Sequence, residues 1–279
     1  MPSLKEEIRA RLKEKYHRQA KSRPSDFARL SLGFQADPWQ KEFLDSNSKR
    51  IILNCSRQSG KSTTTAALAL YEAVTRPRSM IVLDSKGLRQ SQELMLKFED
   101  FLERLPIKAI DSDTKLSKRF ANGSRVVALP GSEDTIRGIS AVTLFIEDEA
   151  SRVPDALYNS IRPMLAVSNG RLILMSTPFG KRGHFHKVWT EGQGWERYEI
   201  PAEDCPRISA EFLDEERRDN PWFEQEYHCK FMETDDQLFN YDQVAAAFSA
   251  GVAPLEFSDE ELGKYPYGKF YDTTAINSR

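Results

Sequence analysis

An apolar strand that runs straight into a Gly-Lys-Ser turn and out again into an alanine-rich helix constrains this chain more than any other feature. Arg50-Ile-Ile-Leu-Asn-Cys55 leads into Ser56-Arg-Gln-Ser-Gly-Lys-Ser62, and the helical run Thr63 to Thr75 follows. A helix start leaves backbone N–H groups without partners, and a strand ending at that point gathers them where an anion can bind. Glycine lets the backbone approach a polyphosphate closely, lysine reaches the outer phosphates, and the hydroxyl after it ligates Mg²⁺. Ser56, Arg57, Gln58, Ser59, Gly60, Lys61, Ser62 and Thr63 are therefore expected to bind a nucleotide, with Ser62 also on the metal. Cys55 takes the place of the usual first glycine, but the close phosphate approach belongs to Gly60-Lys61-Ser62.

Two more strand ends carry chemistry. Val142-Thr-Leu-Phe-Ile146 has the apolar, β-branched character of a buried parallel strand and ends in Glu147-Asp148-Glu149. Three adjacent carboxylates repel one another unless a cation offsets them, and Mg²⁺ on Ser62 is the natural one. Asp148 is read as the carboxylate holding the metal and its waters, and Glu149 as the general base on the attacking water. A one-residue shift would put Glu147 at the metal and make Asp148 the base. Downstream, Arg171-Leu-Ile-Leu-Met-Ser-Thr-Pro178 is a second buried-looking strand. Beside the phosphate-loop strand it would present Ser176 and Thr177 to the γ-phosphate.

In this order the motifs resemble the large terminase subunit of tailed bacteriophages, an ATP-driven motor that packages double-stranded DNA into procapsids. The resemblance rests on Ser56 to Ser62, on Glu147-Asp-Glu-Ala150 with Arg152-Val-Pro154, on Ser176-Thr-Pro178 and on Phe223-Glu-Gln-Glu-Tyr227, and covers roughly residues 36 to 235. It implies a P-loop NTPase of the RecA/ASCE-like type: an α/β, doubly wound, mainly parallel sheet with a small helical lid. It implies that Gln40, in Asp37-Pro-Trp-Gln40, contacts adenine, that Ser176 and Thr177 couple hydrolysis to movement, and that Arg57 and Arg137-Gly138 match the family's arginines. ATP and Mg²⁺ are the implied cofactors. The implied partners are double-stranded DNA, copies of the chain in a ring, the portal protein and the small terminase subunit, with no membrane.

Composition agrees with these implications. The 279 residues can hold one α/β core and a smaller appendage. A net charge of −2 with a pI near 6.2 excludes a uniformly basic nucleic-acid binder, so any grip on DNA must be local. Cys55, Cys205 and Cys229 are odd in number and widely spaced, as suits a reducing compartment. Residues 1 to 20 are dense in charge, and no apolar run approaches the ~20 residues of a bilayer span. Together with the resemblance, this implies the cytoplasm of a bacterial host as the location.

Four regions are expected: a helical segment over 1–35, the ATPase core over 36–205, a helical lid over 206–257 and a linker or tail over 258–279. Leu4 to Lys21 has a narrow apolar stripe (Leu4, Ile8, Leu12, Tyr16) on an otherwise charged helix, which suits packing on the core or on a neighbouring subunit. A helix carrying Gln40 begins at Pro38. Core strands are expected at Ile51–Asn54, Met80–Leu83, Val126–Leu129, Leu144–Ile146 and Leu172–Met175, with Arg197–Ile200 as a possible edge. Lid helices are expected over Ser209–Asp219, Trp222–Met232 and Tyr241–Phe248.

Asn122-Gly123 signals a hairpin. Lys115, Lys118, Arg119 and Arg125 around it form a candidate DNA-facing or subunit-facing patch, or simply a basic hairpin. His184-Phe-His186, taken as a strand, puts two imidazoles on one side, but without a third ligand they read as hydrogen-bonding residues. Gly131 to Gly138 reads simply as a flexible loop or, in a motor, as one whose flexibility would present Arg137 to another subunit. The stretch after Ile200 is too short for a second helicase-type core, so the site must be completed in cis by Arg57 or in trans by Arg137.

The expected activity is Mg²⁺-dependent ATP hydrolysis driving DNA translocation. A helicase-like or remodeller-like translocase fragment, and a nucleotide-gated scaffold without turnover, are the alternatives. Only Phe270-Tyr-Asp272 resembles the opening strand of a nuclease domain, and one Asp does not make a two-metal site, so nuclease activity is not expected.

Overall fold

The computed structural model describes residues 23–105, 110–130 and 139–233. Eight strands form one sheet in the order β3-β4-β5-β2-β6-β7-β1-β8. They are β1 (Arg50–Cys55), β2 (Met80–Ser85), β3 (Ile110–Thr114), β4 (Ser117–Phe120), β5 (Arg125–Pro130), β6 (Leu144–Asp148), β7 (Arg171–Ser176) and β8 (Glu196–Ile200). The run from β5 to β8 is parallel. β3 and β4 extend it as an antiparallel flap, with Asn122-Gly123 turning the chain from β4 into β5. Every core strand read from the sequence is present, and β8 is an edge. The β3–β4 hairpin was not foreseen, because Ile110-Asp-Ser-Asp-Thr114 is almost wholly polar and exposed.

Helices cover both faces because the strands alternate apolar side chains to each side. Leu53 and Cys55 of β1 join a cluster with helices α1 (Pro24–Leu32), α2 (Pro38–Asp45), α3 (Lys61–Thr75) and α4 (Leu88–Arg104). Ile52, Phe145 and Leu174 face the other way, onto α5 (Asp155–Ala166) and α6 (Gly183–Glu191). The Phe27 ring of α1 meets Tyr71 of α3 edge-on at 5.5 Å, so α1 packs on the helix that follows the phosphate loop.

After β8 come α7 (Ala210–Asp219), capped by Ser209 accepting from the Phe212 N–H, and a single turn, α8 (Phe223–Glu226). Leu213, Phe223 and Tyr227 share a small cluster with Ala202. The helix expected over Trp222–Met232 stops at Glu226 because the core takes up the backbone beyond it. Ala202 N–H donates to Tyr227 O at 2.8 Å, Asn54 Nδ2 donates to Cys229 O at 2.8 Å, and Cys229 has φ 60°. His184 and His186 lie on helix α6 rather than on a strand. The helices expected over Leu4–Lys21 and Tyr241–Phe248, the Gly131–Gly138 loop with Arg137, and the stretch 258–279 lie outside the described residues. Among the described residues no helix is long and apolar enough to cross a membrane.

Candidate functional site

The carboxyl ends of β1, β6 and β7 are neighbours, and the three motifs meet there. Cys55 is fully buried where β1 ends, and burial raises its thiol pKa to about 12, so the residue in the glycine position is a neutral core side chain. Ser56 N–H donates to Ile200 O and Arg57 N–H to Glu226 O, both at 2.9 Å, which anchors the start of the loop. Gln58 (φ 58°) and Gly60 (φ 91°) then adopt left-handed backbone that turns the chain into α3. No side chain caps α3, so its first N–H groups remain available to an anion. Gln58 is exposed, Ser59 buried, and Ser62 and Thr63 half-buried at the helix start.

Lys61 is buried, with Nζ 3.4 Å from Thr177 Oγ1 and 3.9 Å from Glu149 Oε1. Ser62 Oγ donates to Asp148 Oδ2 at 3.1 Å. Burial raises the Asp148 pKa, Lys61 opposes the rise, and Glu149 adds to it. A hydroxyl and a buried carboxylate in contact are the oxygen donors that Mg²⁺ accepts when phosphates and waters supply the rest, so these residues fit that ion. No group of three His, Cys, Asp or Glu side chains among the described residues is arranged to hold a metal alone.

The acidic triplet divides among three environments. Asp148 turns toward the phosphate loop. Glu149, held in left-handed backbone at φ 56°, stands beside Lys61. Glu147 is fully buried on the opposite face, where its Oε2 accepts from His184 Nε2 at 2.7 Å. The shifted register would need Glu147 on the loop side, and strand alternation puts it on the other. Tyr158 stacks on the His184 ring at 4.5 Å, and the His184 N–H donates to Asp155 Oδ1 at 2.7 Å. His184 is thus a hydrogen-bonding residue, though nothing in its local sequence points to Glu147.

The hydroxyl pair separates in the same way. Thr177 faces Lys61, while Ser176 is buried with Oγ 2.7 Å from Ser151 Oγ. Ser151 is also 2.8 Å from Thr177 O, so the turn after Glu149 is fastened to the end of β7. Gln40 is buried, its Oε1 accepting from Asp37 N–H at 2.9 Å and its Nε2 donating to Ser59 O at 3.4 Å.

The basic patch does not survive as a group of four. Lys118 has a buried side chain and its ammonium is already paired with Glu99 and Asp113, so it is not free to meet a phosphate as the other three are. Lys115, Arg119 and Arg125 remain at the exposed surface. Sequence reading missed Ser151 and Arg207 at this site, and it quoted Glu226 within Phe223-Glu-Gln-Glu-Tyr227 without giving it a place here. Arg207 and Glu226 come from the segment after β8, and only the fold brings them to the loop.

Residues 52–246 match the family model described as terminase large subunit, T4likevirus-type, N-terminal. The terminase large subunits of Thermus phage G20c and Thermus virus P23-45 are each 27% identical over 179 residues, covering 57% of this chain and 37% of theirs. The matched region therefore spans little more than a third of these relatives. The large terminase ATPase domain of Thermus phage P74-26 superposes with a TM-score of 0.65 at 24% identity, over 76% of this chain and 100% of that one. The large terminase of the thermophilic bacteriophage D6E, in complex with ATP-gamma-S, gives 0.56 at 12% identity, over 75% and 52%. At these identities the superpositions establish a shared fold.

Proposed function

The chain belongs to the terminase large subunit family, T4likevirus-type, and from that premise we propose that it is a Mg²⁺-dependent ATPase whose hydrolysis drives double-stranded viral DNA into a procapsid. The observation that carries this reading is the convergence of Lys61, Ser62, Asp148, Glu149 and Thr177 at one end of the sheet. The uncapped start of α3 receives the phosphates, and Lys61 neutralises their outer charge. Ser62 and Asp148 would hold Mg²⁺, which supplies charge neutralisation across the phosphate oxygens. Glu149 orients and deprotonates the attacking water, and Thr177, beside Lys61, responds to the loss of the γ-phosphate. Arg57 in cis or Arg137 in trans completes the charge stabilisation.

Working as a ring in the host cytoplasm, with the portal protein and the small terminase subunit as partners, belongs to the same proposal. Lys115, Arg119 and Arg125 are retained as its candidate DNA contacts. The test is phosphate release with and without double-stranded DNA across a range of protein concentrations. Stimulation by DNA and a rise in specific activity with concentration are expected. ATP binding without release would favour a nucleotide-gated scaffold. Activity independent of concentration, with no rescue when Arg137→Ala and Glu149→Gln chains are mixed, would assign the finger to Arg57 alone.

A further inference from the structure

Arg207 is tied by three contacts to two residues, Asp37 before α2 and Ser59 of the phosphate loop. Its Nη1 donates to Asp37 Oδ1 at 2.9 Å with Nη2 2.8 Å from Oδ2, and Nη2 also donates to Ser59 O at 3.0 Å. Gln40 Nε2 donates to that same carbonyl. A Cβ on Gly60 would stand 2.8 Å from Gln40 Nε2 and 3.3 Å from Arg207 Nη2, so both side chains lie flush against the loop residue that has no side chain. They differ in exposure. Gln40 is buried with both ends of its amide engaged, whereas Arg207 keeps about half of its side chain open to solvent.

We propose that Arg207 is a further nucleotide-binding residue, its guanidinium plane contacting the purine base beside Gln40. This rests on the nucleotide-site reading above. The rim carbonyl that anchors Arg207 is shared with Gln40, whereas Thr177 and Glu149 surround the lysine end of the loop. A guanidinium is planar, permanently charged and weakly hydrated, so it stacks on an aromatic ring without giving up all of its in-plane hydrogen bonds. Without nucleotide, Asp37 pairs with that guanidinium. Because Asp37 caps α2, Asp37→Asn keeps a good capping residue while removing the charge that competes for Arg207.

The experiment measures equilibrium binding of ATP and of inorganic tripolyphosphate by calorimetry on the whole chain and on Arg207→Ala, Asp37→Asn and Lys61→Ala. Arg207→Ala should weaken ATP about tenfold and leave tripolyphosphate within about twofold. Asp37→Asn should bind ATP as tightly as the parent or more tightly. Equal weakening by Arg207→Ala and Asp37→Asn would reduce Arg207 to a structural clamp and overturn the proposal. An equal loss of tripolyphosphate affinity would move the contact to the phosphates and overturn the base assignment. If the parent bound ATP no better than Lys61→Ala, the nucleotide-site reading itself would fail, and this inference with it. ATP binding by the parent that Arg207→Ala leaves unchanged would sink this inference alone.

Discussion

Arg57 Nη2 lies 2.7 Å from Glu226 Oε1 while the Arg57 N–H donates to Glu226 O at 2.9 Å, so one residue after β8 holds the loop arginine by both side chain and backbone. Asn220 Nδ2 fixes the other carboxylate oxygen at 3.1 Å. Arg57 is about half exposed, and an ion pair of that kind contributes roughly 0–1 kcal/mol, little enough for a bound phosphate to draw the guanidinium away. Arg57→Ala should lower ATP turnover about 100-fold or more if this arginine stabilises the transition state. Glu226→Gln, which frees the guanidinium, should maintain turnover or raise it by up to about fivefold. Steady-state phosphate release on the two variants checks this, and a similar loss in both would mean that the intact pair is what catalysis needs.

Lys61, Asp148 and Glu149 separate binding from chemistry. Lys61→Ala should abolish turnover and weaken ATP binding, because it removes charge that offsets the ground-state phosphates. Glu149→Gln should bind ATP like the parent and lose about 10²- to 10⁴-fold in turnover, the range for a general base. Asp148→Asn should raise the Mg²⁺ concentration needed for half-maximal binding. Paired binding and turnover titrations decide it, and normal hydrolysis by Glu149→Gln would remove that residue from the role.

Behind the acidic strand, the pH dependence has a definite sign. Burial pushes the Asp84 pKa from 3.8 up to about 8, with nearby Glu147 adding to the rise. Burial also disfavours a charged His184, but its contacts with Glu147 and Asp155 outweigh that and raise its pKa. Both groups hold a proton in the fold more tightly than in the unfolded chain. Stability from Asp84 is therefore complete below about pH 4 and falls as pH rises toward 8, and the His184 contribution is lost as pH rises through its raised value. The stabilisation by Asp84→Asn should be larger at pH 8 than at pH 5, by about 3 kcal/mol. Denaturant unfolding at the two pH values measures it, and a larger gain at pH 5 would contradict the sign.

Lys118 should behave as a structural residue. Its side chain is buried, and its ammonium pairs with the partly exposed Glu99 and the exposed Asp113. Lys118→Ala should destabilise by about 1 kcal/mol, through lost packing of the buried stem and the lost ion pairs. Arg119→Ala and Arg125→Ala should leave the melting temperature nearly unchanged and, if this surface meets DNA, reduce the salt dependence of DNA binding by about one ion each. Thermal melts together with a salt titration separate the two effects.

The sequence alone determined the strand-loop-helix at Arg50–Thr75, the buried strands at 144–148 and 171–176, and the Asn122-Gly123 turn, because each is written in local terms. Apolar runs of strand length, a Gly-Lys-Ser turn and a two-residue hairpin signal need no distant partner to be read. Strand alternation even carried the information that neighbours in Glu147-Asp148-Glu149 would part, although which carboxylate meets which partner was beyond it. Only the tertiary structure decided that Glu147 meets His184, that Ser151 fastens the acidic turn to Ser176, and that Lys118 is buried. Tertiary structure also ended the last helix at Glu226. The segment after it exchanges helical hydrogen bonds for contacts with Asn54 and Ala202, which lie far away in sequence. Arg207 and Glu226 reach the phosphate loop by the same long-range closure. The physical reason is common to all of these: local pattern fixes which residues become strands, turns and helices, while the partners of a buried charge or an unpaired amide are chosen by whatever the folded chain brings within about 3 Å.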